Sequence, residues 1–179
     1  MTKAERRQAA FQRPKRWFPK KEWQKTKKVK VFGLTTSTGK QHAWIVQTPY
    51  DSSKWAADIK KHVAPFLKRC FPNRDSFQLL LDSEALLHAP EARAAMRECG
   101  ISVLPNWPKY SPDLNPQENV WGWAEEHLRT IEKDSDSFDA FKDKVLKACK
   151  AYPYGNKLIG GMAKRVRLLV LREGANIGK

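Results

Sequence analysis

The sequence has few of the residues that build disulfide networks or zinc clusters. Its three cysteines, Cys70, Cys99 and Cys149, are scattered and form no CxxC pair. This pattern argues against a disulfide framework and against a zinc ribbon. The four histidines, at positions 42, 62, 88 and 127, form no HxxxH pair. Such sparse cysteine usage favours a reducing, intracellular compartment.

Long apolar runs are also missing. No run approaches the ~18 apolar residues that a membrane span requires, so we expect no membrane partner. The basic N-terminus contains no apolar stretch of the kind found in secretory signals. The hydrophobic content of 41% is still high enough for a packed core, and 179 residues suit one domain.

Acidic residues are scarce in the first 50 positions, where thirteen Lys and Arg face two Glu. That stretch therefore carries +11 of the formal net charge of +15, and nucleic acid is the commonest partner of such a surface. We interpret residues 1–27 as a basic arm that contacts DNA, and a solvated tail is the alternative. The candidate contacts to the DNA backbone are Arg13, Lys15, Arg16, Lys20, Lys21, Lys25, Lys27 and Lys28.

Hydrophobic periodicity predicts an α/β fold. Two β-rich runs, 29–34 and 43–48, flank a Gly-containing turn, which is typical of a hairpin. The apolar run 77–81 is typical of a central strand buried on both faces, and 101–104 forms a further strand. Helical spacing marks residues 52–69, 90–99, 116–130, 137–150 and 157–172. We therefore expect a mixed sheet flanked by helices in residues 28–130, followed by C-terminal helices in 131–179.

Asp82 is the first candidate catalytic residue. It follows directly on the apolar run 77–81, and functional sites of open α/β sheets collect at the carboxyl ends of strands. An Asp that only caps the next turn is the structural alternative, because Asp is a common turn residue.

A second carboxylate, Glu118, is separated from Asp82 by 35 intervening residues. Three prolines, at 105, 108 and 112, make the connection after Leu104 stiff and extended. Pro116 suits the first turn of the helix that follows. Glu118 then lies in that first turn, where the helix dipole favours an ionised carboxylate.

The residues Ser111-Pro-Asp-Leu-Asn-Pro-Gln-Glu118, followed by Val120 and Trp121, resemble the signature of DDE transposases of the Tc/mariner superfamily. Members of that family have an Asp after a hydrophobic strand and a His a few residues later, and Asp82 and His88 match both. The resemblance spans roughly residues 28–130. It implies a fold like that of ribonuclease H and retroviral integrases.

The resemblance also implies a chemistry and a partner. Asp82 and Glu118 would be catalytic residues and ligands of a two-metal Mg²⁺ or Mn²⁺ site, since hard cations prefer carboxylate oxygens. His88 and Asn115 would be auxiliary. The partner would be DNA. The resemblance also implies that such enzymes assemble as homodimers on DNA. The expected location is the nucleus in a eukaryotic cell and otherwise the cytoplasm, associated with DNA.

One part of the family pattern is missing from the sequence. The resemblance requires a third carboxylate, an Asp on a first strand just before the hairpin, but no Asp precedes Asp51. We therefore expect an N-terminally truncated domain without its first strand, which neither cleaves nor joins DNA on its own. The alternative is a DNA-binding module derived from such an enzyme, a domesticated or relic copy with the fold kept and catalysis lost.

Overall fold

The computed structural model describes residues 28–105, 107–108, 111–131, 133 and 136–174. The predicted basic arm and its candidate contacts from Arg13 to Lys27 lie outside these residues, and Lys28 is exposed. The strands are β1 (Lys30–Thr35), β2 (Gln41–Val46), β3 (Phe77–Leu79) and β4 (Ile101–Val103). The helices are α1 (Ser52–Asp58), α2 (Ala64–Cys70), α3 (Pro90–Glu98), α4 (Pro116–Ile131), α5 (Phe138–Lys150), α6 (Gly155–Gly160) and α7 (Met162–Leu171). Within this described part, no helix is long and apolar enough to cross a membrane.

The predicted hairpin is confirmed. β1 and β2 pair antiparallel, with Phe32 opposite Trp44 and Gly33 opposite Ala43. Because successive side chains of a strand point to opposite faces, the hairpin contributes side chains to two hydrophobic cores. Phe32 and Trp44 face one core, whereas Ala43 faces the other.

The first core lies between the hairpin and helices α1 to α3. It includes Trp44, Trp55, Ile59 and Met96, each no more than 5% exposed. The second core lies on the other face of the hairpin and is closed by α4 and α5. The hairpin is therefore the middle layer between two helical layers, an arrangement that buries both faces of the strands.

The segment predicted as one helix over 52–69 is helical throughout, but a π-helical turn, Ile59–Val63, separates α1 from α2. The N–H of Ala64 bonds to the carbonyl of Ile59, five residues earlier. Asp51 caps the start of α1, where its side chain accepts from the N–H of Lys54 at 2.9 Å. This matches the interpretation of Asp51 as a helix cap.

A histidine at the hairpin is buried among aromatic rings. His42 stacks on Phe66 with ring centroids 4.9 Å apart, and its Nε2 has no hydrogen-bond partner among the described residues. Burial, reinforced by the positive charge of Lys150, lowers the pKa of His42 to about 4. The fold therefore favours the neutral ring.

The second sheet pairs β3 and β4 in parallel, with Phe77 opposite Ile101. Helix α3 connects the two strands, and Gly100 ends it with a φ of +69°, as predicted for a helix-terminating glycine. The prediction of a strand over 77–81 buried on both faces was wrong. The strand covers only Phe77–Leu79 and Gln78 is exposed. The physical reason is that successive side chains of a strand point to opposite faces, and the face that carries Gln78 is open to solvent in the described part of the chain.

A groove of about 390 Å³ lies between the two sheets. β1 lines one wall and β3 lines the other, and Trp55 and Leu87 contribute apolar surface between them. Lys30, at the start of β1, pairs with Glu84, which lies beyond the end of β3, at 3.7 Å. β1 and β3 therefore run in opposite directions across the groove. Neither edge facing it is paired to another strand within the described residues. We call this groove the inter-sheet slot.

The C-terminal segment predicted as one helix over 157–172 forms two, α6 and α7. The break falls at Gly160 and Gly161, and glycine is a weak helix former because it loses more backbone entropy than other residues. The prediction of a single helix was therefore wrong at this pair.

Candidate active site

Asp82 lies just beyond the end of β3, where the sequence predicts a catalytic carboxylate. The side chain is exposed, and its Oδ1 accepts from the N–H of Ser83 at 2.7 Å. His88 lies on a short 3₁₀ turn, Ala85–His88, and its Nε2 is 2.7 Å from the backbone carbonyl of Asp82. A carbonyl only accepts, so Nε2 carries the proton and donates. His88 therefore holds the backbone of Asp82 and leaves the carboxylate open.

The proline-rich motif forms a turn followed by a helix cap. The N–H of Leu114 bonds to the carbonyl of Ser111 at 3.1 Å, and Leu114 is only 2% exposed. Asn115 accepts from the N–H of Gln117 through its side-chain oxygen at 3.0 Å, which is the bond expected of an N-cap. Pro116 begins α4 and Glu118 lies in its first turn, as predicted. The motif thus fixes where α4 starts and, with it, the position from which the Glu118 side chain projects.

Helix α4 is fixed to the hairpin by a close approach at Gly33. A Cβ placed on Gly33 would lie 2.5 Å from the ring of Trp121 and 2.6 Å from the side-chain nitrogen of Gln117. Thr35 donates to the side-chain oxygen of Gln117 at 2.8 Å. The absence of a side chain at Gly33 therefore lets the first turn of α4 lie directly on β1.

A second tether comes from the C-terminal helix α7. Arg165 donates to the side-chain oxygen of Asn119 at 2.9 Å and to the backbone carbonyl of Asp113 at 3.4 Å. One guanidinium group thus bridges the motif turn and the start of α4. The position of Glu118 depends on the hairpin, on the motif and on α7.

Asp82 and Glu118 line the same cavity, which has a volume of about 510 Å³. Asn115, Ser111 and Trp107 also line it. The structure therefore brings together two carboxylates that are separated by 35 intervening residues in sequence. His88 contacts the backbone carbonyl of Asp82, and Asn115 caps the start of α4.

Sequence reasoning missed a third carboxylate in this cavity. Glu84 lines the cavity together with Asp82 and is exposed. It also forms the ion pair with Lys30 across the mouth of the inter-sheet slot. The available signal was its spacing two residues after Asp82 at the end of a strand, which keeps both residues at one edge of the sheet.

The oxygen donors in this cavity suit Mg²⁺ or Mn²⁺ in kind but not in number. Carboxylate and amide oxygens are the ligands that these hard cations prefer. However, no group of three or more His, Cys, Asp or Glu side chains is arranged to hold a metal ion in the part of the chain that the structure describes. The carboxylates that line the cavity are Asp82, Glu84 and Glu118.

Comparison with known proteins gives consistent results in sequence and in fold. A sequence model for the family described as "DDE superfamily endonuclease" matches residues 1–142. The transposase of transposable element Tc3 from Caenorhabditis elegans is 24% identical over 148 residues, which are 82% of this chain. These residues correspond to 44% of that protein, so the chain spans less than half the length of the curated relative it matches.

Solved structures show the same fold. The Mos1 transposase catalytic domain, in a structure with raltegravir and Mn, superimposes with a TM-score of 0.71 at 17% identity, covering 85% of this chain and 78% of that one. A Mos1 structure with raltegravir and Mg gives a TM-score of 0.65 at 16% identity, covering 84% of each chain. The catalytic domain of Mos1 mariner transposase gives 0.64 at 15% identity, covering 84% and 82%. The expected α/β fold of the ribonuclease H type is confirmed.

Proposed function

Because the chain belongs to the DDE superfamily endonucleases, within the Tc/mariner transposases, we propose that it supplies part of a catalytic domain for DNA cleavage and strand transfer at transposon ends. The observation that carries this proposal is that Asp82 and Glu118 line one cavity. Both follow the family pattern, one after a strand and one in the first turn of a helix. The nucleus of a eukaryotic cell would be its place of action.

In this proposal Asp82 and Glu118 are ligands of Mg²⁺ or Mn²⁺. A pair of such ions, when bound, activates the attacking oxygen and stabilises the leaving oxygen at a phosphate. Two further residues, His88 and Asn115, hold the two carboxylates in position. His88 holds the backbone at Asp82, whereas Asn115 fixes the turn from which Glu118 projects.

The 179-residue chain is, in this proposal, catalytically incomplete. Two carboxylates bind a metal pair weakly, and the charge that develops on a phosphate then goes uncompensated. The inter-sheet slot offers the position for the Asp that the family pattern has on a first strand, in addition to Glu84. A strand seated there parallel to β3 would end beside Asp82, since both would run in the same direction and slot and carboxylate cavity share Asp82, Glu84 and Glu118.

A nicking assay tests both statements. Supercoiled plasmid is incubated with the purified chain and Mn²⁺, with Glu118→Gln as the matched control because it keeps the side-chain shape and removes the charge. We expect no nicking by either protein, together with Mn²⁺ binding that is weaker in Glu118→Gln and in Asp82→Asn. Nicking that Glu118→Gln abolishes would refute the incompleteness and support the catalytic assignment.

The measurement of metal binding does not depend on catalytic activity. Enhancement of water proton relaxation by bound Mn²⁺ is measured for the chain and for both variants. If Asp82→Asn and Glu118→Gln bind Mn²⁺ as well as the unaltered chain, the carboxylate assignment is wrong. DNA binding without any Mn²⁺ dependence would instead support the alternative of a DNA-binding module.

A further inference from the structure

A second cavity, of about 730 Å³, lies beside the carboxylate cavity. Its floor is apolar and includes Leu81, Met96 and Ile101, and its rim carries Arg93, Arg97 and His88. Trp107 closes one side. An apolar floor with cationic groups at the rim matches a ligand that combines a flat ring with an anionic group.

The two arginines are placed to act together. Arg93 and Arg97 are four residues apart on α3, so they lie on one face of the helix. Both side chains are exposed, and neither forms an ion pair with another residue in the described part of the chain. The nearby Glu98 is engaged by Lys60 instead. The two guanidinium groups are thus available to a ligand, and guanidinium binds phosphate with two parallel hydrogen bonds.

The two cavities lie side by side and share lining residues. Trp107 and Ser83 line both the arginine-bearing cavity and the cavity that contains Asp82 and Glu118. A chain of phosphates held at the carboxylates can therefore extend directly past Trp107 to Arg93 and Arg97. Trp107 is half-buried, with ring surface left open to the cavity it lines.

We propose that this second cavity binds an unpaired nucleotide of the DNA strand next to the phosphate at Asp82 and Glu118. The phosphate of that nucleotide contacts Arg93 and Arg97, and its base stacks on Trp107. The base must be unstacked, as a base in a single strand can be, because the faces of a base within a duplex are covered by its neighbours. This inference rests on the proposed function, since it takes DNA as the ligand of the carboxylate cavity.

The experiment compares binding of two DNA probes to the whole chain in EDTA, where no metal-dependent cleavage occurs. One probe is a blunt duplex, and the other carries a short single-stranded overhang with 2-aminopurine as its first unpaired base. Affinity is read by fluorescence anisotropy as a function of salt. Stacking is read by quenching of the 2-aminopurine emission.

The double variant Arg93→Gln/Arg97→Gln removes both rim charges. Its matched control is Lys61→Gln/Arg69→Gln, which removes two exposed charges that line neither cavity. We expect the rim variant to weaken overhang binding by about tenfold or more and to flatten its salt dependence, because each lost phosphate contact reduces counterion release. The control should weaken both probes equally and by less.

Trp107 is tested by two substitutions. Trp107→Ala should abolish the 2-aminopurine quenching and weaken overhang binding by about tenfold, whereas Trp107→Phe keeps a stacking ring and should retain most of both. Circular dichroism confirms that each variant is folded. The proposal is overturned if the rim variant and the control lower overhang binding equally, or if Trp107→Ala leaves the quenching unchanged.

Failure of this inference and failure of the proposed function give different results. If overhang binding depends on Arg93, Arg97 and Trp107 but Mn²⁺ binding does not depend on Asp82 or Glu118, the nucleotide site stands and the carboxylate assignment falls. If Mn²⁺ binding depends on the carboxylates but overhang binding is insensitive to the rim variant, the nucleotide site falls alone.

Discussion

The contact between Gly33 and helix α4 leads to a sharp prediction about the site. In Gly33→Ala the new Cβ would lie 2.5 Å from the Trp121 ring, whereas carbon atoms pack at about 3.5–4.0 Å. Trp121 is a rigid ring packed against the second core, so it cannot swing aside without moving its helix. The first turn of α4 must then shift by roughly 1 Å to restore ordinary contact, and Glu118 lies in that turn.

The expected cost follows from the packing. Inserting a methyl group into a filled contact costs about 1–3 kcal/mol. With a urea m-value of about 1–3 kcal/mol per molar, the unfolding midpoint of Gly33→Ala should fall by roughly 1 M. Mn²⁺ binding at Glu118 should weaken in parallel, measured by water proton relaxation.

Gly122→Ala is the matched control on the same helix. A Cβ at Gly122 meets no atom within 4 Å, so the substitution should raise the free energy of unfolding by about 0.5–1 kcal/mol, because alanine is the better helix former. A rise in the urea midpoint of Gly33→Ala similar to that of Gly122→Ala would refute the close approach. An unchanged Mn²⁺ affinity in a destabilised Gly33→Ala would refute the link to Glu118.

Two further substitutions test the cap and the buried histidine. Asn115→Ala should lower the free energy of unfolding by about 0.5–2 kcal/mol, since it removes the side-chain acceptor at the start of α4, while Asn115→Asp should keep most of it; urea unfolding measures both. The pKa of His42 in the fold, about 4, is below its ordinary 6.5, so its contribution to stability is fully present above pH 6.5 and is lost as the pH falls from there towards 4. His42→Phe should reduce that decline in urea midpoint between pH 7 and 4.5, and an identical pH profile in the variant would contradict the assignment.

The proline-rich motif could be predicted from sequence because it is local. The prolines at 112 and 116 and the cap at Asn115 fix the turn through backbone constraints within a few residues, and the start of α4 is where they place it. The hairpin and the helix-ending Gly100 are predictable for the same reason. The convergence of Asp82 with Glu118 came from the family resemblance, because spacing along the chain does not determine distance in space.

What sequence reasoning missed depends on contacts between distant segments. Nothing near Gly33 in the sequence indicates that it meets Trp121, 88 residues later. Gln78 is exposed because its face of β3 is open to solvent within the described residues, which the apolar run 77–81 cannot indicate. Glu84 was missed because its place at the cavity depends on the turn after β3. The basic arm remains a prediction, since it lies outside the described residues.

The inter-sheet slot has a consequence for the behaviour of backbone amides. In an antiparallel pair, alternate residues of each strand turn their N–H and C=O groups away from the partner strand. Along β1, every second amide therefore faces the slot, and its hydrogen should exchange with solvent much faster than that of its neighbours. A strand entering the slot would protect those amides and erase the alternation. Amide hydrogen exchange along the six residues of β1 therefore shows whether the two sheets are separate or are joined by a further strand.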